Sequence, residues 1–251
     1  MRKNSTVALL VSLLTIVALA APAAASHSWS NYHWARTANP FTLSLGDNVG
    51  TAWDSYLATS SSQWSQSNVL DTTVVTGSTT GRRCRAAAGR VEVCSAAYGQ
   101  NGWLGLASIW LSGTHITQGT VKVNDTYFSM AQYNTPNQRA HVMCQEIGHT
   151  FGLGHTSEDG STQNTCMDYS TSTTSTAPNA HDYAQLEAIY SHLDSTSTVG
   201  SATAGTSPAT VGNDQSSWGQ EVDRSADGKH STYVRDLGNG QSVVTEVTWA
   251  L

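Results

Sequence analysis

The chain has 251 residues, of which 12 are Lys or Arg and 18 are Asp or Glu, and its formal net charge is −6. This length predicts one sizeable domain with a small appendage. The acidic balance argues against a nucleic-acid partner, because binding to phosphates depends on clustered basic side chains.

Residues 1–25 have the features of a secretory signal peptide. Arg2 and Lys3 precede an apolar run over residues 7–20, and small side chains follow at residues 21–25. The run is shorter than the roughly 20 apolar residues that a transmembrane helix needs. We expect cleavage after this segment, which leaves 10 basic and 18 acidic residues, a net charge of about −8, on a secreted, extracellular chain without a membrane anchor.

The next segments alternate between strand and helix patterns. The segment FTLSL alternates apolar and polar residues, as a half-buried strand does. Apolar positions in VGTAWDSYLATSSSQWSQS recur near helical spacing, so we expect a helix from about Asp47, with Asp47 or Asn48 as its N-cap. Further strands are predicted in VLDTTVVTG, VEVCSAAYG, GLASIWLSG and VKVN.

Two more helices are predicted over residues 137–152 and 180–193, with a Ser/Thr-rich coil over 160–178 between them. The order of strands and helices indicates an α+β domain with a mixed sheet, which we place at residues 26–194.

The end of the chain differs in composition from this domain. Residues 195–217 are rich in Ser, Thr and Gly and are predicted to be a linker. Residues 218–251 are predicted to form a small β-hairpin extension about the turn Asn239-Gly240. A lone hairpin is marginally stable in water, so we expect this extension to pack on the main domain or on a partner.

The four cysteines are Cys84, Cys94, Cys144 and Cys166. An even number in an exported chain indicates disulfides, for which three connectivities exist. We favour Cys84–Cys94, which closes a local loop, and Cys144–Cys166, which ties a predicted helix to a downstream segment. A cysteine metal site is disfavoured by the oxidising environment and by the lack of a C-x-x-C pair.

Candidate metal ligands lie in the segment QEIGHTFGLGH. Gln145 and His149 are four residues apart, so they project from one face of a helix. Glu146 lies beside them, where it can approach a water molecule without ligating a metal. Gly152 can take a positive φ and end the helix, which lets the chain turn back and bring His155 to the same place. These residue types fit a catalytic Zn²⁺ ion, with Glu146 as general base.

This segment resembles the H-E-x-x-H-x-x-G-x-x-H signature of the metzincin zinc endopeptidases, with Gln145 in place of the first histidine. The resemblance is matrixin-like and covers residues 30–193. It implies a zincin domain with a mixed, mostly parallel twisted sheet, an active-site helix, a methionine turn at Met167 and a C-terminal helix. It also implies Gln145, His149 and His155 as zinc ligands, and a protein or peptide as substrate.

Three side chains around this motif need separate treatment. Gln145 is a weaker zinc ligand than imidazole. His141 lies ~12 Å from His149 along a helix axis, too far to share one metal, and either hydrogen-bonds to Gln145 or lies on the surface. Tyr169, two residues after Met167, resembles the tyrosine of astacin-like metzincins that stabilises the transition state; packing beneath the site is the alternative.

The leading prediction is therefore a secreted, monomeric zinc metalloendopeptidase whose peptide substrate adds to a strand around GTVKVN. The alternative is a secreted, non-catalytic binding protein that retains the fold, and a weaker third is an adhesive exoprotein. Glu158 and Asp159 are candidate calcium ligands or a solvated loop. The remaining histidines, which we expect to be ordinary, are His27, His33, His115, His181, His192 and His230.

Overall fold

The computed structural model describes residues 27–170, 172–201 and 209–250. The expected signal peptide lies outside the described residues, as do residues 202–208 of the predicted linker. In chain order the elements are β1 (His33–Trp34), β2 (Phe41–Asn48), α1 (Asp54–Trp64), β3 (Leu70–Thr76), β4 (Val91–Ala96), β5 (Trp103–Ser112), β6 (His115–Asn124), α2 (Asp125–Phe128), α3 (Pro136–His149), α4 (Ala180–Ile189), a short 3-10 helix (Gln215–Ser217), β7 (Gln220–Arg224), β8 (His230–Gly238) and β9 (Gln241–Trp249).

The strands form one nine-stranded sheet in the order β3-β2-β4-β6-β5-β9-β8-β7, and β1 pairs with β6. The pairs among β1, β2, β3, β4 and β6 are parallel. The pairs that involve β5, β9, β8 and β7 are antiparallel. The fold is thus α+β with a mixed sheet that is only partly parallel. The expectation of a mostly parallel sheet is wrong, because three strands from beyond the predicted domain extend it in the antiparallel sense.

The helices α1 and α3 pack against each other beside the sheet. Trp64 at the end of α1 is fully buried, and its Nε1 donates a hydrogen bond to the Cys144 carbonyl of α3 at 3.1 Å. A Cβ atom at Gly148 would collide with Trp64 and with the Met167 sulfur. The absence of a side chain there therefore lets α1 and the Met167 loop approach α3 closely.

The start of α1 differs from the prediction. Asp47 and Asn48 belong to β2, where they pair with β4, and Asn48 Nδ2 donates to Glu92 Oε2 at 2.6 Å. The helix begins at Asp54, and Trp53 at its N-cap makes no side-chain capping bond. The expected cap at Asp47 or Asn48 is wrong, because the sheet pairing of these residues prevails over their local capping preference.

Helix α3 agrees closely with its prediction. Pro136 occupies the first turn, where its missing N–H costs nothing, and Thr135 Oγ1 accepts from Gln138 N at 3.2 Å. The helix ends at His149, and Gly152 follows with a φ of 92°. Helix α4 begins where predicted and ends four residues before the predicted bound.

Strand β6 is longer than the predicted VKVN and is an internal strand. It has ten residues and lies between β4 and β5, with a neighbour on each side. The expectation that a peptide adds to this strand is therefore wrong, because both of its hydrogen-bonding edges are already paired.

Both favoured disulfides are present, Cys84–Cys94 and Cys144–Cys166. The second joins α3 to the loop that carries Met167. Two disulfides are typical of proteins in an oxidising compartment. Across the described ranges, no helix combines the length and apolar character that crossing a membrane requires.

The extension after residue 217 contains three strands rather than two. The predicted hairpin is present as β8 and β9, with Asn239 at a φ of 53° and Gly240 at a φ of 72° in the turn. Two positive φ values are what a type I′ hairpin turn requires. Strand β9 pairs with β5 along its length, so the extension packs on the main domain, one of the two outcomes expected.

The extension is held by its own apolar cluster and by a buried lysine. The cluster joins side chains of β5 to those of the extension, namely Trp103, Leu106, Trp110, Val211, Trp218, Tyr233, Val243 and Val247. Lys122 Nζ of β6 donates to the carbonyls of Val211 and Gly212 and to Asn213 Oδ1, at 2.9 to 3.2 Å. The described end of the predicted linker is therefore anchored to the sheet.

Candidate metal centre

Helix α3 and the turn that follows it bring two imidazoles together. His149 is fully buried at the end of the helix. At Gly152 a Cβ atom would collide with the Tyr32 carbonyl, so glycine lets the chain reverse there. The ring of His155 then lies with its centroid 4.5 Å from that of His149. The turn inferred from the spacing of the motif is therefore made.

The two imidazoles present atoms suited to a metal. His149 Nδ1 lies 2.8 Å from the Leu153 carbonyl, which can only accept, so Nδ1 carries the hydrogen and Nε2 a lone pair. The Nε2 atoms of His149 and His155 are both buried and have no hydrogen-bond partner within the described chain. Burial lowers the pKa of His149 to about 4 and that of His155 well below its ordinary value. Both rings are thus neutral, the form that ligates metals.

Glu146 is the acid of this site and is completely buried. Its Oε1 accepts a hydrogen bond from Thr248 Oγ1 at 2.6 Å, while its Oε2 has no partner among the residues described. Burial raises the pKa of Glu146 to about 8, and the bond from Thr248 opposes that rise. An unpaired buried carboxyl beside two neutral imidazoles is the donor set that a buried cation would satisfy.

Gln145 is also buried, and both ends of its amide have protein neighbours. Its Nε2 donates to the Asp168 carbonyl at 3.0 Å, and its Oε1 lies 3.1 Å from Thr248 Oγ1. The Thr248 hydroxyl has one hydrogen and lies closer to Glu146. The Gln145 oxygen therefore keeps lone-pair capacity, and its role as a metal ligand stays a prediction.

His141 differs from both expectations for it. The residue is buried in α3, and its Nδ1 lies 2.6 Å from the Ser175 carbonyl. It is therefore not a surface side chain, and this nitrogen faces Ser175 rather than Gln145. Burial lowers its pKa.

Met167 and Tyr169 both lie at the site, as their place after the motif predicted. The Met167 sulfur packs against Gly148 of α3, and the Met167 carbonyl accepts from Thr156 N at 2.8 Å. The Tyr169 ring centroid is 4.2 Å from that of His155. Burial raises the pKa of Tyr169, so its hydroxyl keeps its proton.

His230 is the residue that sequence reasoning missed here. Its ring lies 4.8 Å from His155 and stacks on Tyr169 at 3.9 Å, with 4° between the ring planes. It begins β8, and its strand partner is Thr248. The expectation that His230 is an ordinary side chain is wrong, because strand pairing carries it to the site from far along the chain.

Strand β9 covers the site along β5. A Cβ atom at Gly105 of β5 would collide with Glu146, so β5 passes directly beside this carboxyl. The register places Thr248 of β9 opposite Gly105. A cavity of about 280 Å³ adjoins the covered site, and its lining includes His141, Tyr169, His230 and Thr248. Glu146 and His149 consequently have no solvent exposure.

Two other groups have ligand atoms that all lie within 4.8 Å of one another in the described residues. One is His33, His115 and Asp194, and the other is His27, His181 and Asp182. The expectation that these histidines have no ligand-spaced partner is wrong, because the fold joins segments far apart in sequence. Neither group includes the residues of the predicted site, nor the calcium candidates Glu158 and Asp159.

Comparisons with known proteins add no identification: no protein-family model matches the chain, and no curated protein is significantly similar to it.

Proposed function

We propose that this protein is a secreted zinc metalloendopeptidase of the metzincin type, acting on protein or peptide substrates. The observation that carries the proposal is the set of three buried, unpartnered atoms of the described site, His149 Nε2, His155 Nε2 and Glu146 Oε2. Burying such atoms without partners is costly, and a bound cation would offset that cost.

In this proposal His149 and His155 hold the zinc ion, and the Gln145 amide oxygen is the third ligand. The bond from Gln145 Nε2 to the Asp168 carbonyl fixes the orientation of the amide, and the bond from His149 Nδ1 does the same for that ring. Zinc bound there would polarise a peptide carbonyl and lower the pKa of a water molecule.

Glu146 handles the proton in the proposed reaction. Its Oε2 accepts the proton of the attacking water, and the same carboxyl then donates it to the nitrogen of the leaving amine. Thr248 holds the other carboxyl oxygen at 2.6 Å and so orients the group. Tyr169 is proposed to donate a hydrogen bond to the developing oxyanion from its protonated hydroxyl.

The covered site indicates that the described structure is a closed form. A peptide that paired with β5 would run past Glu146, but β9 occupies that edge. We therefore include in the proposal that β9 moves from β5 before a substrate binds.

Casein hydrolysis tests the catalytic part of the proposal. The purified chain is assayed with added zinc and with a chelator, beside Glu146→Gln, which keeps the shape of the side chain. We expect hydrolysis that requires zinc and that falls at least about 100-fold in the variant, the usual share of a general base. The zinc content of both proteins is the control and should be equal. Hydrolysis that persists unchanged in the variant or in chelator would refute the proposal.

A reversible lock tests the movement of β9. Ser108 of β5 and Thr245 of β9 are buried partners whose hydroxyl oxygens lie 2.9 Å apart. We expect the double variant Ser108→Cys/Thr245→Cys to be inactive when oxidised and active after mild reduction. The unaltered chain under the same reductant is the control. Equal rates in the oxidised and reduced variant would show that substrate reaches the site without this movement.

The second candidate is a non-catalytic binding protein. It is favoured by the contacts that engage Gln145 and by the strand that covers Glu146. In that case the unaltered chain should show no hydrolysis even with the lock open. Gain of activity in Gln145→His would then identify a disabled site on an intact scaffold.

A further inference from the structure

A second histidine cluster lies away from α3, where three segments of the chain meet. His33 in β1 and His115 at the start of β6 are direct partners in the strand register. His192 and Asp194 follow α4, and the backbone bond from Asp194 N to the Arg36 carbonyl, at 2.9 Å, holds this segment beside β1. The fold therefore builds this cluster from side chains that share no sequence motif.

The side chains converge on one carboxylate oxygen. Asp194 Oδ1 lies 3.5 Å from His33 Nε2, 3.3 Å from His115 Nε2 and 3.7 Å from His192 Nε2. The Nε2 atoms of His33 and His192 are 3.2 Å apart. Four ligands at about 2.0–2.1 Å from a tetrahedral zinc ion lie roughly 3.3–3.4 Å apart. The observed separations are close to that spacing.

The carboxylate and one imidazole are oriented from behind. Arg36 is buried, and its Nη1 and backbone N bond Asp194 Oδ2 at 2.7 and 3.1 Å, which leaves Oδ1 facing the histidines. His33 Nδ1 lies 2.8 Å from the Asn31 carbonyl, so it carries the hydrogen and Nε2 a lone pair. Supporting bonds of this kind are typical around the ligands of metal sites.

The cluster lacks a positive charge at its centre. The His33 lone pair and the Asp194 carboxylate oxygen face each other at 3.5 Å, which is unfavourable unless a cation or an added proton lies between them. Arg36 does not supply that charge, because it contacts the other carboxylate oxygen.

We propose that His33, His115, His192 and Asp194 form a second Zn²⁺ site, separate from the one on α3. Three imidazole nitrogens and one carboxylate oxygen are donors that zinc accepts in tetrahedral geometry. Four protein ligands leave no open position, so the site has a structural role: it clamps β1 and the segment after α4 to the start of β6. A cavity of about 600 Å³ beside the cluster gives the ion access from solvent.

Zinc stoichiometry of the full chain tests this site. The double variant His115→Ala/His192→Ala removes two side chains that are 38 and 51% exposed, so its folding should be preserved. Thr114→Ala, which lines the same cavity, is the matched control. Zinc is titrated into each metal-free protein against a chromogenic chelator, and the thermal midpoint is followed with and without zinc.

We expect the double variant to bind one zinc fewer per chain than the unaltered chain and the Thr114 control. This difference holds whether or not the α3 site binds zinc, because the comparison is between chains that share that site. Loss of supporting residues alone typically weakens a metal site 10–100-fold, so removal of two ligands should weaken this one at least about 100-fold. Zinc should also raise the thermal midpoint less in the double variant.

Equal stoichiometry and affinity in the double variant would overturn the proposal. Imidazole NMR gives an independent readout of the same question. Zinc at pH 7 should shift the ring signals of His33 and His115. Signals that titrate with pH but do not respond to zinc would show that a shared proton, rather than a metal, neutralises the cluster.

Discussion

The two histidine clusters of this protein differ in how the chain assembles them. The cluster on α3 takes His149 and His155 from one short motif and hides them beneath β9. The cluster around Asp194 takes its side chains from three distant segments and stays open to solvent. A local motif leaves a pattern in the sequence, whereas pairing between distant strands leaves none. The closed cluster is suited to gated chemistry and the open one to structural metal binding.

The largest effect should separate the two clusters by function. We expect His149→Ala to lose all zinc-dependent hydrolysis, because it removes a ligand of the proposed catalytic metal. His115→Ala should keep its hydrolysis and lose part of the stabilisation by zinc. Casein hydrolysis and thermal unfolding, each with and without zinc, measure both properties. Loss of hydrolysis in both variants would mean that the clusters are not independent.

A pH-dependent effect should be confined to the buried cluster. Burial raises the pKa of Glu146 from 4.5 to about 8. Between these values the folded state holds a proton that the unfolded state has released, so the stability of the metal-free chain falls as pH rises. Glu146→Gln should therefore stabilise the metal-free chain at pH 8.5, by about 3 kcal/mol at about 1.4 kcal/mol per pKa unit.

Urea unfolding in chelator at pH 4.5 and pH 8.5 measures this difference. The gain should disappear at pH 4.5, where Glu146 is protonated in both states. The same gain at both values of pH would contradict the proposed protonation state.

Loosening the extension should affect the buried cluster alone. Lys122 is buried and bonds three acceptors in residues 211–213. Lys122→Met leaves those acceptors unpaired, and we expect a loss of about 1–3 kcal/mol in the free energy of unfolding. Hydrolysis should rise because β9 is held less tightly. Zinc binding at the Asp194 cluster should not change.

Arg235→Met is the matched control for Lys122. Its guanidinium bonds the Thr210 and Ser217 carbonyls near the same stretch from an exposed position. We expect a loss below about 1 kcal/mol, since exposed groups are readily solvated. Equal losses in the two variants would show that Lys122 is not the main anchor.

The smallest effect should come from the most exposed ligand of the open cluster. The His192 side chain is 51% exposed, against 38% for His115. We expect His192→Ala to weaken zinc binding about 10-fold, at the low end of the range for perturbed metal sites. A competition titration with His115→Ala beside it gives the comparison. A larger loss in the His192 variant would reverse the assigned order.

The parts of the molecule that could be predicted are those set by local sequence. Helix α3, the turn at Gly152, the place of Met167 and both disulfides follow from short spacings and neighbouring residue types. The start of α1 could not be predicted, because Asn48 pairs in the sheet instead of capping a helix. The true length of β6 was hidden because an internal strand lacks alternation.

The parts that could not be predicted depend on pairing over long distances. Nothing near His230 or Thr248 marks them as neighbours of Glu146, since the register of β8 and β9 with β5 places them there. The pairing of His33 with His115 is similar, because β1 has only two residues. Side chains of this kind become visible as a cluster only once the fold is known.

Anomalous diffraction at the zinc absorption edge, from crystals of the zinc-loaded chain, tests the central claim most directly. The account predicts one peak between His149 and His155, near Glu146. A second peak, between His33 and His115 near Asp194, would locate the proposed structural ion independently. Absence of the first peak from protein that binds zinc would contradict the proposed catalytic centre.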